Sequence, residues 1–152
     1  MSSLPDELIE RLREKLGAHA VNKDNEWQYT VEMEGFLLMV HHLEDAEQIL
    51  LSTCVAPLAR ESREELCLTL LKGQYFFQHT AGATLAVDGE ASFIVLQAVY
   101  SLRLLTADSF ILTVERFMQA AEYWRGKCTG ALENAPEDAA VSQALLNGGL
   151  RV

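Results

Sequence analysis

Asp88-Gly89 is the strongest hairpin signal in the chain, and it constrains how the surrounding sequence can fold. Before it, Leu85 and Val87 alternate with Thr84 and Ala86. After it, "SFIVLQAVY", Ser92 to Tyr100, is rich in β-branched and aromatic residues. The stretch from Gln74 to Gln97 therefore reads as a turn feeding two antiparallel strands. A competing reading takes Thr80-Ala81-Gly82-Ala83-Thr84 as a phosphate-holding loop. Such a loop gathers backbone N–H groups at a helix N-terminus, usually with several glycines and often a Lys. Here Gly82 stands alone, no Lys follows, and the next element has strand periodicity, so Gly82 serves an unusual backbone angle in a turn.

Upstream, Leu4, Leu8, Leu12 and Leu16 recur every four residues with Ile9 alongside. This is an amphipathic helix, opened by a capping box of Ser3 and Asp6 and stopped at Gly17. "EWQYTVEM", Glu26 to Met33, has the period of a half-buried strand, with Trp27, Tyr29, Val31 and Met33 on one side. Glu34-Gly35 turns the chain into "FLLMV", Phe36 to Val40, and a turn through Glu44-Asp45 leads to "QILLSTCV", Gln48 to Val55. These three segments predict an antiparallel meander. Pro57 breaks the pattern. Ser62 and Glu65 then form a second capping box, and Leu66, Cys67, Leu70 and Leu71 stripe a helix ending near Gly73. A long helix from about Ala107 to Cys128, capped by Thr106 or Asp108, aligns Phe110, Val114, Phe117, Met118, Ala121 and Trp124. The expected fold class is α+β, in the order α-β-β-β-α-β-β-α, with a twisted antiparallel sheet. Residues 1–128 form one domain and residues 129–152 a flexible tail, with one short helical piece near Val141 to Leu146.

Charge excludes several functions. The net charge is −10, opposite in sign to what neutralising phosphates requires, which argues against nucleic-acid and anionic-membrane partners. Between Lys23 and Arg60 there is no Lys or Arg, but there are Asp24, Glu26, Glu32, Glu34, Glu44, Asp45 and Glu47. That stretch suits a basic or neutral partner, although acidity can also serve solubility alone. No run approaches the roughly 18 apolar residues of a membrane span. The N-terminus lacks a basic region followed by an apolar run, and the expected location is the cytoplasm. Cys54, Cys67 and Cys128 are odd in number and widely spaced, so they predict no disulfide framework and no zinc site. His41 and His42 are adjacent on a strand and point to opposite faces, so they cannot easily share a metal, while His19 and His79 are isolated. No nucleophile elbow is present. The expectation is no catalytic residue, no cofactor and no metal.

The apolar content asks for a partner. Phe36 to Val40, Ile49 to Leu51 and most of Phe93 to Val99 are apolar on both faces. Two long helices cover one face of a single sheet, and the other would show apolar surface to water unless something covers it. The cover is another copy of the chain or a different partner; alternatively the sheet curls and its own second helix closes it.

Two stretches carry a family resemblance. "LLKGQYFFQHTAGATLAVDGEASFIVLQ" resembles the helix end, glycine turn and strand pair of the class I type III secretion chaperones, the Tir chaperone-like family. "LTADSFILTVERFMQAAEYWRGKC" resembles that family's closing helix, with Phe117, Ala121 and Trp124 where such helices carry Phe, Ala and Trp. The resemblance implies a bacterial cytoplasmic homodimer, joined through the second helix and neighbouring strands, without catalysis or cofactor. It implies that the N-terminal segment of a secreted effector wraps the dimer in extended form, by strand addition and groove filling. The secretion apparatus ATPase is a further candidate partner. Lys72-Gly73 replaces an Ala-Asn-like pair of the family, and the tail after Gly130 is longer than in many members.

Leu12, Leu16, Trp27, Tyr29, Leu38, Val40 and Leu50 are the candidate effector contacts. Each has core packing as its alternative, because facing is ambiguous where both strand faces are apolar. Leu66, Leu70, Leu71 and Tyr75 are the candidate dimer contacts, and Phe117 and Trp124 are assigned to the core. Three rival readings stand beside the chaperone. One is a regulatory protein of the same fold that controls secretion-gene expression by partner exchange. Another is a small α+β enzyme, which would show an enclosed pocket of converging polar groups. The last is a structural subunit with a fixed partner.

Overall fold

The computed structural model describes residues 3–17, 20–33, 35–90 and 92–130. His19, the turn residue Glu34 and the tail from residue 131, with its expected helical piece, lie outside these residues. Helix α1 spans Leu4–Leu16 and opens on the expected capping box. The Ser3 hydroxyl accepts from the Asp6 N–H at 3.3 Å, and the Asp6 carboxylate accepts from the Ser3 N–H at 3.3 Å. Leu8, Ile9 and Leu12 form its buried stripe. Gly17, at φ 97°, ends it, as a residue without Cβ can.

The sheet has six antiparallel strands: β1 Val21–Asn25, β2 Gln28–Met33, β3 Phe36–Leu43, β4 Gln48–Pro57, β5 Thr84–Val87 and β6 Phe93–Ser101. Their spatial order is β1-β2-β3-β4-β6-β5. The meander thus contains four strands, where the sequence suggested three. "VNKDN" escaped because it offers the core only Val21, and the other four residues are exposed, as suits an edge strand. Glu26 and Trp27 form the β1–β2 turn, so Trp27 does not share the facing of Tyr29. Pro57 closes β4 just beyond a bulge between Cys54 and Ala56, where a missing N–H is tolerated. Asp88 marks the β5–β6 connection, but not as a two-residue turn. Its carboxylate accepts from the N–H groups of Ser92 and Phe93, each at 2.7 Å, and shapes a longer loop.

Helix α2, Arg63–Gln74, follows a 3₁₀ turn at Arg60–Ser62, and the Ser62 side chain makes no cap bond. Helix α3, Ala107–Gly130, runs two residues past the expected boundary at 128. Thr106 is its cap: the Thr106 hydroxyl accepts from the Ser109 N–H at 3.1 Å, and the Ser109 hydroxyl accepts from the Thr106 N–H at 2.9 Å. All six residues of the expected apolar stripe of α3 are buried.

Helices α1 and α3 share the core with one face of the sheet. Tyr29, Val31, Phe36, Leu38, Val40, Ile49, Leu51, Val55, Ile94 and Leu96 point into it, each at most 5% exposed. Three side chains clasp α1 to the β1–β2 hairpin: the Asp6 carboxylate accepts from the Tyr29 hydroxyl and from Lys23 Nζ at 3.0 Å. Helix α2 adds Leu66 and Leu70 to the same core and lays Gly73 against the Trp124 ring of α3.

A Cβ on Gly73 would sit 1.9 Å from the Trp124 ring. That ring is 2% exposed, and its Nε1 donates to the His79 carbonyl at 2.9 Å, so it cannot retreat. Gly73→Ala should therefore cost ~1–3 kcal/mol as an overpacked core does, read in a urea or thermal melt. Gly89→Ala, with open space where its Cβ would go, should stay within ~0.5 kcal/mol of the parent.

The Tyr29 hydroxyl, and then Lys23 and Ser3, hold the Asp6 carboxyl well below its ordinary value of 3.8, against a smaller burial effect that raises it. A folded-state value below the unfolded one makes this stabilisation fully present above about pH 4 and lost as pH falls further. Asp6→Asn should lower stability at pH 7 and flatten the acid limb of stability against pH, measured by urea unfolding between pH 7 and pH 2.

Candidate protein-interaction site

Among the described residues, no helix packs on the second sheet face, and strand parity sends alternate side chains there. Leu37, Met39 and His41 of β3 project there. Through the register His41↔Leu50, Met39↔Ser52, Leu50↔Val99 and Cys54↔Val95, they line up with the matching residues of β4 and β6. None of these side chains is buried, and Leu37, Phe93 and Val99 are 57%, 47% and 49% exposed. The result is an apolar band across β3, β4 and β6, flanked on β2 by Gln28, Thr30 and Glu32. At one end the band runs into an open groove of about 390 Å³ lined by Gly35, Leu37, Cys54, Ala56, Pro57, Arg125 and Thr129. Arg125 is fixed at its wall. Nε donates to the Val55 carbonyl at 3.4 Å, Nη2 donates to the Gly35 carbonyl at 3.2 Å, and the guanidinium lies 3.3 Å from the Phe36 ring centroid.

A second apolar surface lies on the outer side of α2. Leu68, Leu71 and Tyr75 follow one another at helical spacing, and Phe76 and Phe77 continue the patch; Leu71 is 71% exposed. Phe76 and Phe77 both hold φ of 56°, a left-handed conformation that bulky residues rarely adopt. The neighbouring backbone is fixed by Gln74, whose side-chain amide donates to the Ala83 carbonyl at 3.1 Å and accepts from the Leu85 N–H at 2.8 Å. This clamp joins the end of α2 to the start of β5.

Among the described residues no group of three or more His, Cys, Asp or Glu could hold a metal ion. The Thr80–Thr84 stretch is a turn: the Ala83 N–H donates to the Thr80 carbonyl, Ala81 and Gly82 have positive φ, and β5 follows rather than a helix. Burial pushes the Cys54 thiol up, which disfavours the reactive thiolate. His79 stacks on Tyr123 at 5.0 Å, and burial, then the nearby Lys127, keep it neutral to lower pH than usual. Two open grooves among the described residues hold no converging acid and base: the one at Arg125, and one along the acidic outer side of α1 beside Ala107.

The candidate effector contacts divide by facing. Leu12, Tyr29, Leu38 and Val40 are 0–3% exposed and point into the core of this chain, the packing alternative that the sequence left open. Leu16 is half-buried at the end of α1 and packs on the core from the helix side. Trp27 is 58% exposed, and Leu50 lies on the open face. The structure brings these two toward the same end, since the Trp27 carbonyl accepts from the His42 N–H while His41 faces Leu50. Of the candidate dimer contacts, Leu66 and Leu70 are buried in their own chain, whereas Leu71 and Tyr75 are exposed. Leu37, Val99, Phe93, Leu68, Phe76 and Phe77 are exposed apolar residues outside the sequence-based candidates. The aromatic pair directly after a helix end was the signal available for the last two. Among the described residues, no helix is long and apolar enough to cross a membrane.

The model of the Tir chaperone protein (CesT) family matches residues 7–125. No curated protein matches by sequence. Several solved structures share the fold. A chain of the ExsC–ExsE complex superposes with a TM-score of 0.62 at 18% identity, covering 78% of this chain and 89% of that one. A chain of the HopA1–SchA chaperone–effector complex gives 0.59 at 16% identity, over 80% and 90%. A chain of the ExoT–SpcS complex from Pseudomonas aeruginosa gives 0.56 at 20% identity, over 81% and 98%. With the family model spanning most of the helix–sheet–helix body, the chain belongs to the Tir chaperone protein (CesT) family and is a type III secretion chaperone, not an enzyme.

Proposed function

We propose that the chain works as a homodimer that holds the N-terminal segment of a secreted effector, extended and unfolded, against the open sheet face. The observation that carries this reading is a sheet that, among the described residues, has helices on one side, with an apolar band of Leu37, Met39, Leu50, Val95 and Val99 on the other. The similar HopA1–SchA structure is a chaperone–effector complex, which supports it. Trp27 and Leu50 remain client contacts in this proposal, joined by Leu37, Met39 and Val99. Leu12, Tyr29, Leu38 and Val40 act from beneath, by holding the strands in register. Each Å² of apolar surface removed from water contributes about 25 cal/mol, set against the cost of ordering the client segment. Binding of this kind keeps a segment extended without catalysis. Co-purification of a secreted protein, with its N-terminal segment alone sufficient for binding, is the supporting result. A client bound only through a folded domain would overturn it.

The outer surface of α2 is the proposed dimer contact, made by Leu68, Leu71, Tyr75, Phe76 and Phe77. Leu66 and Leu70 support it from inside. Leu71→Glu adds a charge to a side chain with no packing role in its own chain. It should convert the dimer to a monomer in sedimentation velocity at micromolar concentration, with an unchanged far-UV circular dichroism spectrum and a melting temperature that no longer depends on concentration.

The acids of residues 24–47 supply a second expectation. If they steer a basic client segment, the association rate should fall several-fold between about 50 and 500 mM salt, as long-range attraction is screened. Stopped-flow binding reads this directly, and a salt-independent rate would assign the acids to solubility alone.

A further inference from the structure

We propose that the chain's own C-terminal segment, residues 137–146, occupies the Arg125 groove and the adjoining apolar band when no client is bound, as an internal placeholder that a client must displace. The first observation is position. Thr129, one residue before the last residue of α3, itself lines the groove. The chain therefore leaves the helix at the mouth of the open face rather than across the molecule from it.

The second observation is length. Twenty-two residues follow Gly130. From Cys54 to Leu50, the band runs four residues along β4, or roughly 13 Å at 3.3 Å per residue. Residues 131–136 are enough to reverse direction, and the ten residues 137–146 can cover the band even where they are not fully extended.

The third observation is complementarity. Among the described residues lining the groove, Arg125 is the only charged one, and its guanidinium is held in place by Phe36, Gly35 and Val55. The segment opens on Glu137-Asp138, one of two places where acids occur in a tail otherwise made of apolar and neutral residues with a single Arg. Val141, Ala144, Leu145 and Leu146 follow, matching the exposed Leu37 and Cys54 and the half-buried Val95 in character. A tethered segment competes at an effective concentration on the order of millimolar, enough for weak contacts to matter. The occupancy rests on the open face and not on what the client is, so the test needs no client.

Cys54 is exposed on the groove wall and serves as a native reporter. In a Cys67→Ser, Cys128→Ser background, Ala140→Cys, two residues after the acidic pair, should form a disulfide with Cys54 within one chain under mild oxidation of dilute protein. The charge reversals Glu137→Lys and Asp138→Lys, made together in the tail away from the folded body, should lower the initial cross-linking rate at least fivefold. Gly149→Cys, beyond the docking segment, should react at least fivefold more slowly than Ala140→Cys. Equal rates at positions 140 and 149, or no effect of the charge reversal, would overturn the placeholder. So would a cross-link that joins two chains. None of these failures would touch the chaperone reading, which co-purification tests separately.

Discussion

The two-residue period of the β-strand, imposed on a sheet with helices on one side, is the constraint from which the rest follows. Once Leu38, Val40, Ile49, Leu51, Ile94 and Leu96 point toward α1 and α3, their neighbours Leu37, Met39, Leu50, Val95 and Val99 must point away. The sequence fills both sets with apolar residues. One set builds a core that holds Phe110, Phe117 and Trp124, while the other stays at the surface, where it is costly unless something covers it. The open apolar face and the core are thus two faces of the same strands, and neither can change register without exchanging roles with the other.

The third helix does a different job. Helix α2 is tied to α3 by the fit of Gly73 on Trp124 and to β5 by the Gln74 clamp, and these contacts set which of its residues face outward. The same junction holds Phe76 and Phe77 in left-handed conformations with their rings exposed. Strain of this kind persists only where surrounding contacts over-determine it, and it places aromatic surface next to Leu71 and Tyr75. Gly73 has its explanation here: a side chain at that position would collide with the indole.

Much of this was legible in the residues. The capping box at Ser3, the stripe of α3 and the strand pair around Asp88 are local signals, and they stand where the sequence placed them. Strand β1 was not legible, because an edge strand held by backbone pairing needs little apolar patterning. Facing was the harder question. In "FLLMV" and "QILL" both parities are apolar, so nothing local separates Leu38 from Leu37 or Leu51 from Leu50, and only the position of the helices decides. The stripe of α2 split for the same reason: Leu70 and Leu71 are adjacent, and one is buried while the other is the most exposed residue of the pair by far. Phe76 and Phe77 depend on a backbone conformation that no periodicity encodes.

The central claim is that the client lies on the uncovered sheet face. The direct measurement is the affinity of a captured client's N-terminal segment for the parent chain, for Leu37→Glu with Val99→Glu, and for Leu71→Glu, by calorimetry on proteins of confirmed fold. Placing two charges in the apolar band should weaken binding by at least about a hundredfold, the cost of about 2.7 kcal/mol spread over two sites, without changing the oligomeric state. An unchanged affinity in the Leu37→Glu, Val99→Glu chain would place the client elsewhere and contradict the account.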